Sequence, residues 1–360
     1  MTATNPLLHW LKTNRWLLLL LVGMLLLPFV IAVLDGQSPT AVFNSETGNA
    51  KFMQGLLIEV FILAIFALSY DLVLGVTGLL SFGHAMFFAT GAYATGIAFK
   101  TMEWGVPQTL LALVVVALIQ AFLFGIVLLR ISGITFALVT LGFGSVFFIV
   151  VQSTELSAYT GADVGLQGVV APDWLNTSTE RFTLYVVALL CLFAVYLLYR
   201  RFVDSPTGRV CLAIRENEGR AQMLGFNTFY FKLAALTLSS LTAVLAGFLH
   251  TIHQPIVSPN VASLGYTVGA LLMILIGGVG TLSGAVVGAA VFRLLEFYLD
   301  SWFGEIASFL LGAIYILIVL FLPFGIVGTW RARQNDIQAG RDKLLALFKL
   351  NQPEKPAPKP

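Results

Sequence analysis

From Trp16 to Leu34 the chain runs through nineteen residues without a charged side chain, and stretches of this kind return at short intervals almost to its end. A helix advances about 1.5 Å per residue, so a hydrocarbon layer of about 30 Å is crossed by about 20 residues. A chain punctuated in this way folds in a bilayer, because water offers no way to hide so many full-length apolar runs. Its composition agrees, with 58% hydrophobic and only 11% charged residues, where soluble domains carry roughly 25% charged. In water, 360 residues would divide into two or three domains; here a single helical membrane domain is expected.

Further candidate spans cover about Met53–Tyr70, Phe82–Phe99, Gln108–Leu129, Gly133–Gln152 and Phe182–Tyr199. In the C-terminal half, Phe229–His250, Gly265–Ile276, Gly284–Leu295 and Ile306–Leu322 follow, two of them too short to cross unaided. The expected fold is an all-α polytopic membrane protein of roughly ten transmembrane or half-membrane helices, in two repeat-related halves with broken glycine-rich segments. The expected division is a first span and outer loop over 1–52, a first bundle over 53–199 with an outer loop at 153–181, and an inner loop over 200–228. A second bundle covers 229–330, and 331–360 forms an amphipathic surface helix and a proline-rich tail. A cleaved leader is the competing reading of the first span, but Ala32-Val33-Leu34-Asp35 lacks a small-x-small site.

Charge placement orients these elements. With the N-terminus inside and the spans alternating, Lys51, Lys100, Arg181 and Arg293 fall outside and the other sixteen of twenty Lys and Arg fall inside. The positive-inside rule therefore puts both termini in the cytoplasm. Only Cys191 and Cys211 are present, one in an apolar run and one in a basic loop, which suggests neither disulfides nor a metal site.

Two glycine-rich stretches interrupt the apolar pattern. Asp71 to His84 contains Gly75, Thr77, Gly78 and Ser81, and Ile276 to Gly284 contains Gly278, Gly280, Thr281 and Ser283. Glycine loosens a helix, and non-helical backbone survives at membrane depth only where protein or a water-filled cavity satisfies its amides. Gly78-x-Leu80-Ser81 and Gly280-x-Leu282-Ser283 occupy matching places in the two halves. Paired breaks of this kind mark a hinge and a translocation path, where hydroxyls replace water around a polar solute. The plainer reading is close helix packing through small residues. Asp71 and His84 are ionisable groups at or near membrane depth, either a proton relay or a boundary carboxylate and a hydrogen-bonded ring. His250 and His253 precede Pro255 at the outer end of a span and are expected to be interfacial; no HExxH arrangement supports a metal site.

The inner loop reads Gly208-Arg209 through Ile214-Arg215-Glu216-Asn217-Glu218-Gly219-Arg220 to Leu224-Gly225. Ala213, Ile214, Ala221 and Leu224 predict one amphipathic helix stopped by Gly225. This loop closely resembles the coupling loop of LivM-type permeases, subunits of branched-chain amino acid ABC importers. Gly78-Leu-Leu-Ser-Phe-Gly-His84, Thr160-Gly-Ala-Asp-Val-Gly-Leu166, Gly277-Gly-Val-Gly280-Thr-Leu-Ser-Gly284 and Pro323-Phe-Gly-Ile326 extend the resemblance over most of Met53 to Trp330. One departure is Ala162, where the family motif usually has glycine.

The resemblance implies a translocating subunit rather than an enzyme, carrying no cofactor of its own. It implies a second, LivH-like permease subunit, two cytoplasmic ATPase subunits holding ATP and magnesium, and an extracytoplasmic solute-binding protein, in a bacterial inner membrane. Membrane lipid completes the partners; nucleic acid is not among them. Arg209, Arg215, Glu216, Asn217, Glu218, Arg220 and Gly225 would meet the ATPases, and Thr160, Gly161, Asp163 and Gly165 the binding protein. The residues agree to this extent: no G-x-x-x-x-G-K-[ST] occurs, so this chain does not hold ATP by such a loop. The related urea importers are the near alternative, and an ion-coupled transporter or channel is the more distant one. An intramembrane enzyme lacks a nucleophile and base on one segment.

Overall fold

A computed structural model describes residues 14–43, 48–128, 130–131 and 133–334. The first half contains α1 (Arg15–Leu34), α2 (Asn49–Asp71), α3 (Ala85–Lys100), α4 (Val106–Leu128), α5 (Gly133–Gln152) and α6 (Arg181–Asp204). Two short helices follow, α7 (Pro206–Glu216) and α8 (Glu218–Met223). The second half contains α9 (Thr228–His253), α10 (Leu264–Gly277), α11 (Leu282–Phe303) and α12 (Ala307–Phe321). Residues 325–334 are again helical. The expected surface helix around Ile337 to Leu350 and the proline-rich end lie outside the described residues.

Seven helical stretches are long and apolar enough to cross a membrane among the described residues. The shorter α3 and α10, 16 and 14 residues, adjoin the two breaks and fall short of the length that crosses about 30 Å. The spans sort by what they face. Most of α2 is buried, and it packs against α6, α9, α10 and α11. By contrast α1, α4, α5 and α12 expose Leu19, Leu123, Ile149 and Phe321, as lipid-facing helices do. The most extensive helix pair is α3 with α9. There Gly91 and Gly247 set backbone against backbone, since lipid tails leave close packing as the main attraction between helices.

Local chemistry fixes where helices begin at the basic end of the bundle. Ser205 Oγ accepts from Gly208 N at 3.2 Å with Pro206 in the first turn, starting α7. Asn217 Oδ1 accepts from Arg220 N at 2.9 Å, starting α8. The single helix predicted for this loop is therefore two, because the Asn217 cap turns the chain between them. Another difference concerns α11, which runs on to Phe303 and not to Leu295. Arg293, expected on the outer side, consequently sits in mid-helix, where carboxylates from α2 and α11 meet its charge.

At the opposite end a two-stranded antiparallel sheet joins distant segments: β1 (Leu166–Gln167) pairs with β2 (Ile256–Val257). Lys100 Nζ donates to the Gln167 carbonyl at 2.8 Å, and Arg181 donates to the Lys51 carbonyl at 3.1 Å. The loop expected between α5 and α6 is thus tied to three helix ends.

Candidate functional site

The two glycine-rich breaks, far apart in sequence, meet at the basic end. After α2 the chain widens into a π turn over Leu72–Val76 and then unwinds. Such wide turns inside helices are frequent at functional sites. Gly75 and Gly280 touch backbone to backbone: a Cβ on Gly75 would stand 2.6 Å from Gly280 N. Asp71 Oδ1 accepts a hydrogen bond from that same Gly280 N at 2.7 Å. Both breaks place their glycine in the left-handed region, Gly78 at φ +77° and Gly280 at φ +76°, a conformation that costs other residues about 1–2 kcal/mol. The matching sequence positions therefore share a matching backbone.

Arg215, at the end of α7, lies on this junction. Its guanidinium donates to the Gly75 carbonyl, and its Cγ and Cα are the nearest atoms to the position a Cβ on Gly78 would take. Gly278 rests on the Phe324 carbonyl of the turn after α12, Thr281 Oγ1 donates to the Gly278 carbonyl at 2.6 Å, and Arg331 reaches Ser283 Oγ at 3.0 Å. One end of the molecule thus gathers Gly75, Gly78 and Gly280 around Arg215, with Gly278, Thr281 and Ser283 beside them and Arg331 on Ser283.

Thr77, Ser81 and His84 are placed differently. All three are buried, and Thr77 Oγ1 donates to the Val73 carbonyl at 2.5 Å. His84 Nε2 is 3.0 Å from Ser69 Oγ, and its ring packs against Phe66, Tyr70 and Phe87. The unwound stretch between Gly78 and α3 keeps its amides satisfied inside protein: Phe82 N donates to Thr140 Oγ1 at 3.1 Å and Ala85 N to Thr267 Oγ1 at 3.0 Å.

Of the other loop residues, Arg209, Glu216, Asn217, Arg220 and Gly225 are exposed. Glu218 is held by the buried Lys232 at 2.5 Å and by Thr228 Oγ1 at 2.9 Å, which anchors α8 to α9. Met223 and Leu224, 83% and 72% exposed, form an apolar tip beside these charges. Cys211 sits on the inward face of α7, and burial pushes its thiol up to about 11.

In the outer loop, Thr160 Oγ1 donates to the Leu156 carbonyl at 3.1 Å and accepts from Ala162 N at 3.3 Å. Gly161 packs against Gly165, and Gly165 against the Val257 carbonyl of β2, while Asp163 is exposed. Ala162, the departure from the family motif, has φ +50° and keeps a glycine-like backbone with an alanine side chain.

A second constellation escaped the sequence reading. A cavity of about 420 Å³ opens among α2, α10, α11 and residues 254–263, lined by Glu59, His250, Tyr266, Arg293 and Glu296. Glu59 accepts from Arg293 Nε at 2.6 Å through one oxygen and from Gln254 Nε2 at 3.1 Å through the other. His253 Nε2 lies 3.5 Å from Glu59, and Arg293 donates to Glu296 at 2.9 Å. The signal was present, since Glu59 interrupts the apolar run Met53–Tyr70 and an ionisable residue at such depth is expensive unless it is paired or functional.

Comparison with known proteins places these features. The family model for the permease component of branched-chain amino acid transport systems matches residues 52–319. The chain is 29% identical over 304 residues to the high-affinity branched-chain amino acid transport permease LivM of Salmonella typhimurium, covering 78% of this chain and 70% of that protein. It is 28% identical over 288 residues to LivM of Escherichia coli, covering 73% and 67%. Against the permease LivH of Salmonella typhimurium it is 26% identical over 291 residues, covering 74% and 91%. No solved structure matches the chain.

Proposed function

Because this chain belongs to the family of branched-chain amino acid transport permeases, we propose that it is the membrane-spanning subunit of an ATP-driven importer of branched-chain or other neutral amino acids. The observation that carries this reading is the seat of α7 on both broken segments through Arg215, Gly75, Gly78 and Gly280. A loop placed there converts a push from outside the membrane into a displacement of α3 and α10.

In this reading the basic end is cytoplasmic, with both termini, in a bacterial inner membrane. Two partner subunits hydrolyse ATP with magnesium and grip the exposed face formed by Arg209, Glu216, Asn217, Arg220 and the Met223–Leu224 tip. Their closure shifts α7, and Arg215 carries the shift to Gly75 while Asp71 keeps Gly280 in step. Gly78 and Gly280, free of a Cβ, absorb the change of angle. At the outer end a solute-binding protein meets the Thr160–Gly165 loop, and β1 and β2 connect that loop to the segment entering the cavity. A second permease subunit completes the membrane assembly.

The test is uptake of labelled leucine by proteoliposomes containing the assembled complex. Arg215→Ala removes the link while leaving the ATP sites in other chains, so uptake falls at least about tenfold, the equivalent of one charged hydrogen bond, while ATP hydrolysis continues. Uptake at the wild-type rate by the correctly assembled variant would overturn the role of the α7 seat.

A further inference from the structure

The cavity beside Glu59 has two electrostatic poles at the depth of the bilayer. Glu59 stands ten residues, about 15 Å, beyond Asn49 and twelve, about 18 Å, before Asp71. Arg293 stands eleven residues, about 16 Å, beyond Leu282. Their side chains remain 19% and 23% exposed, a degree of exposure that hydrocarbon tails do not accommodate at mid-span. This face therefore looks onto water or another protein. Two carboxylates, Glu59 and Glu296, stand against the single guanidinium of Arg293, so the wall forms an electronegative pole. Beside it His253, 8% exposed, leaves Nδ1 without a hydrogen-bond partner.

The opposite pole is the start of α10. Tyr266, in its first turn, packs against Phe66 and Phe88 with ring centroids 5.5 and 4.9 Å apart, so the helix begins well inside the bundle. Ser263, Gly265 and Tyr266 line the cavity. Ser263 Oγ caps this helix by accepting from Tyr266 N at 3.3 Å, while the amides of Leu264 and Gly265 stand before the first intrahelical bond, where the positive end of the helix dipole lies. Half-helices that begin inside a membrane bind carboxylates in this way. The remaining wall is apolar, with Ile62, Leu63, Phe66, Met273 and Phe292.

We propose that this cavity is a transit site for zwitterionic aliphatic amino acids, with the ammonium directed to Glu59 and Glu296 and the carboxylate to the N-terminus of α10. The side chain rests on the apolar wall, and the open side is covered by the second permease subunit. The volume of about 420 Å³ falls in the range of roughly 300–1,000 Å³ typical of small-molecule sites. The β2 strand leads directly into this wall at Ser258, which places the outer loop in contact with the site it would gate. The proposal rests on the importer reading and names where its cargo is held.

The test uses the complete complex of both permeases, the ATPases and the binding protein in proteoliposomes. Glu59→Gln and Glu296→Gln preserve shape and remove charge; each should lower kcat/KM for labelled leucine by about tenfold or more at equal amounts of assembled complex. A second measurement does not depend on transport by those variants. Gly269→Cys, whose added Cβ would lie 3.7 Å from Phe292 Cζ, is introduced with Cys191→Ser and Cys211→Ser. A charged, membrane-impermeant thiol reagent should label it, leucine should slow the labelling, and 4-methylpentanoate, which lacks the ammonium, should not. Leu123→Cys on the lipid face should stay unlabelled. Wild-type kinetics in both carboxylate variants, or labelling at Gly269→Cys that leucine leaves unchanged, would overturn the transit site while leaving the importer intact. A wild-type complex that imports no amino acid would overturn both.

Discussion

Adding one methyl group at Gly75 tests whether the meeting of the two breaks holds this molecule together. An alanine Cβ there would stand 2.6 Å from Gly280 N and 2.7 Å from Gly280 Cα, where ordinary contact begins at 3.4 Å. The opposing backbone must retreat by about 0.8 Å, and the Asp71 carboxylate, whose Oδ1 would stand closer still to the new Cβ, must turn away from it as well. Overpacking of this kind costs about 1–3 kcal/mol, and weakening the hydrogen bond from Gly280 to the Asp71 carboxylate costs about 1.5–3 kcal/mol. Both effects act on one contact, so they do not add, and the net cost should be about 2–4 kcal/mol. Gly142→Ala is the matched control, because that glycine lies inside α5 with nothing within 4 Å of an added Cβ. It should be neutral or stabilising by up to about 1 kcal/mol. Thermal unfolding in nanodiscs would read a Tm lowered by about 5 °C for Gly75→Ala and unchanged or raised for Gly142→Ala, with leucine uptake lost only in the former. Equal Tm values and equal uptake for the two would refute the claim that the breaks bear on each other.

Ala162→Gly should stabilise the outer loop by about 1 kcal/mol, since it removes a side chain from a residue at φ +50°; slower proteolysis of residues 157–170 would show it, and faster proteolysis would contradict it. Cys211 should resist iodoacetamide at pH 8 in the folded protein, because its thiol is buried and pushed up to about 11. Its contribution to stability should be complete below the ordinary thiol value near 9 and lost as pH rises toward 11, so the midpoint of urea unfolding should fall across that window relative to Cys211→Ser.

The legible part of the candidate site was the part with a local signature. Glycine, threonine and serine crowded among apolar residues announced the breaks around Gly78 and Gly280, and Ala213, Ile214, Ala221 and Leu224 before Gly225 announced helix in the basic loop. What the pattern did not reveal was that Asn217 divides that loop into two helices, because a cap residue within a helical stretch also reads as a tolerated interior position. The apolar run Gly284–Leu295 reads as ending near Arg293; pairing with Glu59, 234 positions away, lets α11 continue past it to Phe303. Thr77, Ser81 and His84 share the composition of a polar path; in the structure all three are buried, Thr77 bonded to the Val73 carbonyl and His84 to Ser69, and none of them lines the cavity beside Glu59.

The sequence by itself determined the solvent of this protein, its helical class and the positions of its interruptions, because each follows from hydropathy and backbone freedom summed over a few neighbouring residues. Only the tertiary structure decided that Asp71 and Gly280, 209 positions apart, would share a hydrogen bond, and that Glu59, Arg293 and Glu296 would ring one cavity. Those meetings depend on how each helix is rotated and how deep it sits against its neighbours. That arrangement arises from packing among nearly uniform apolar surfaces, and no short stretch of chain encodes it.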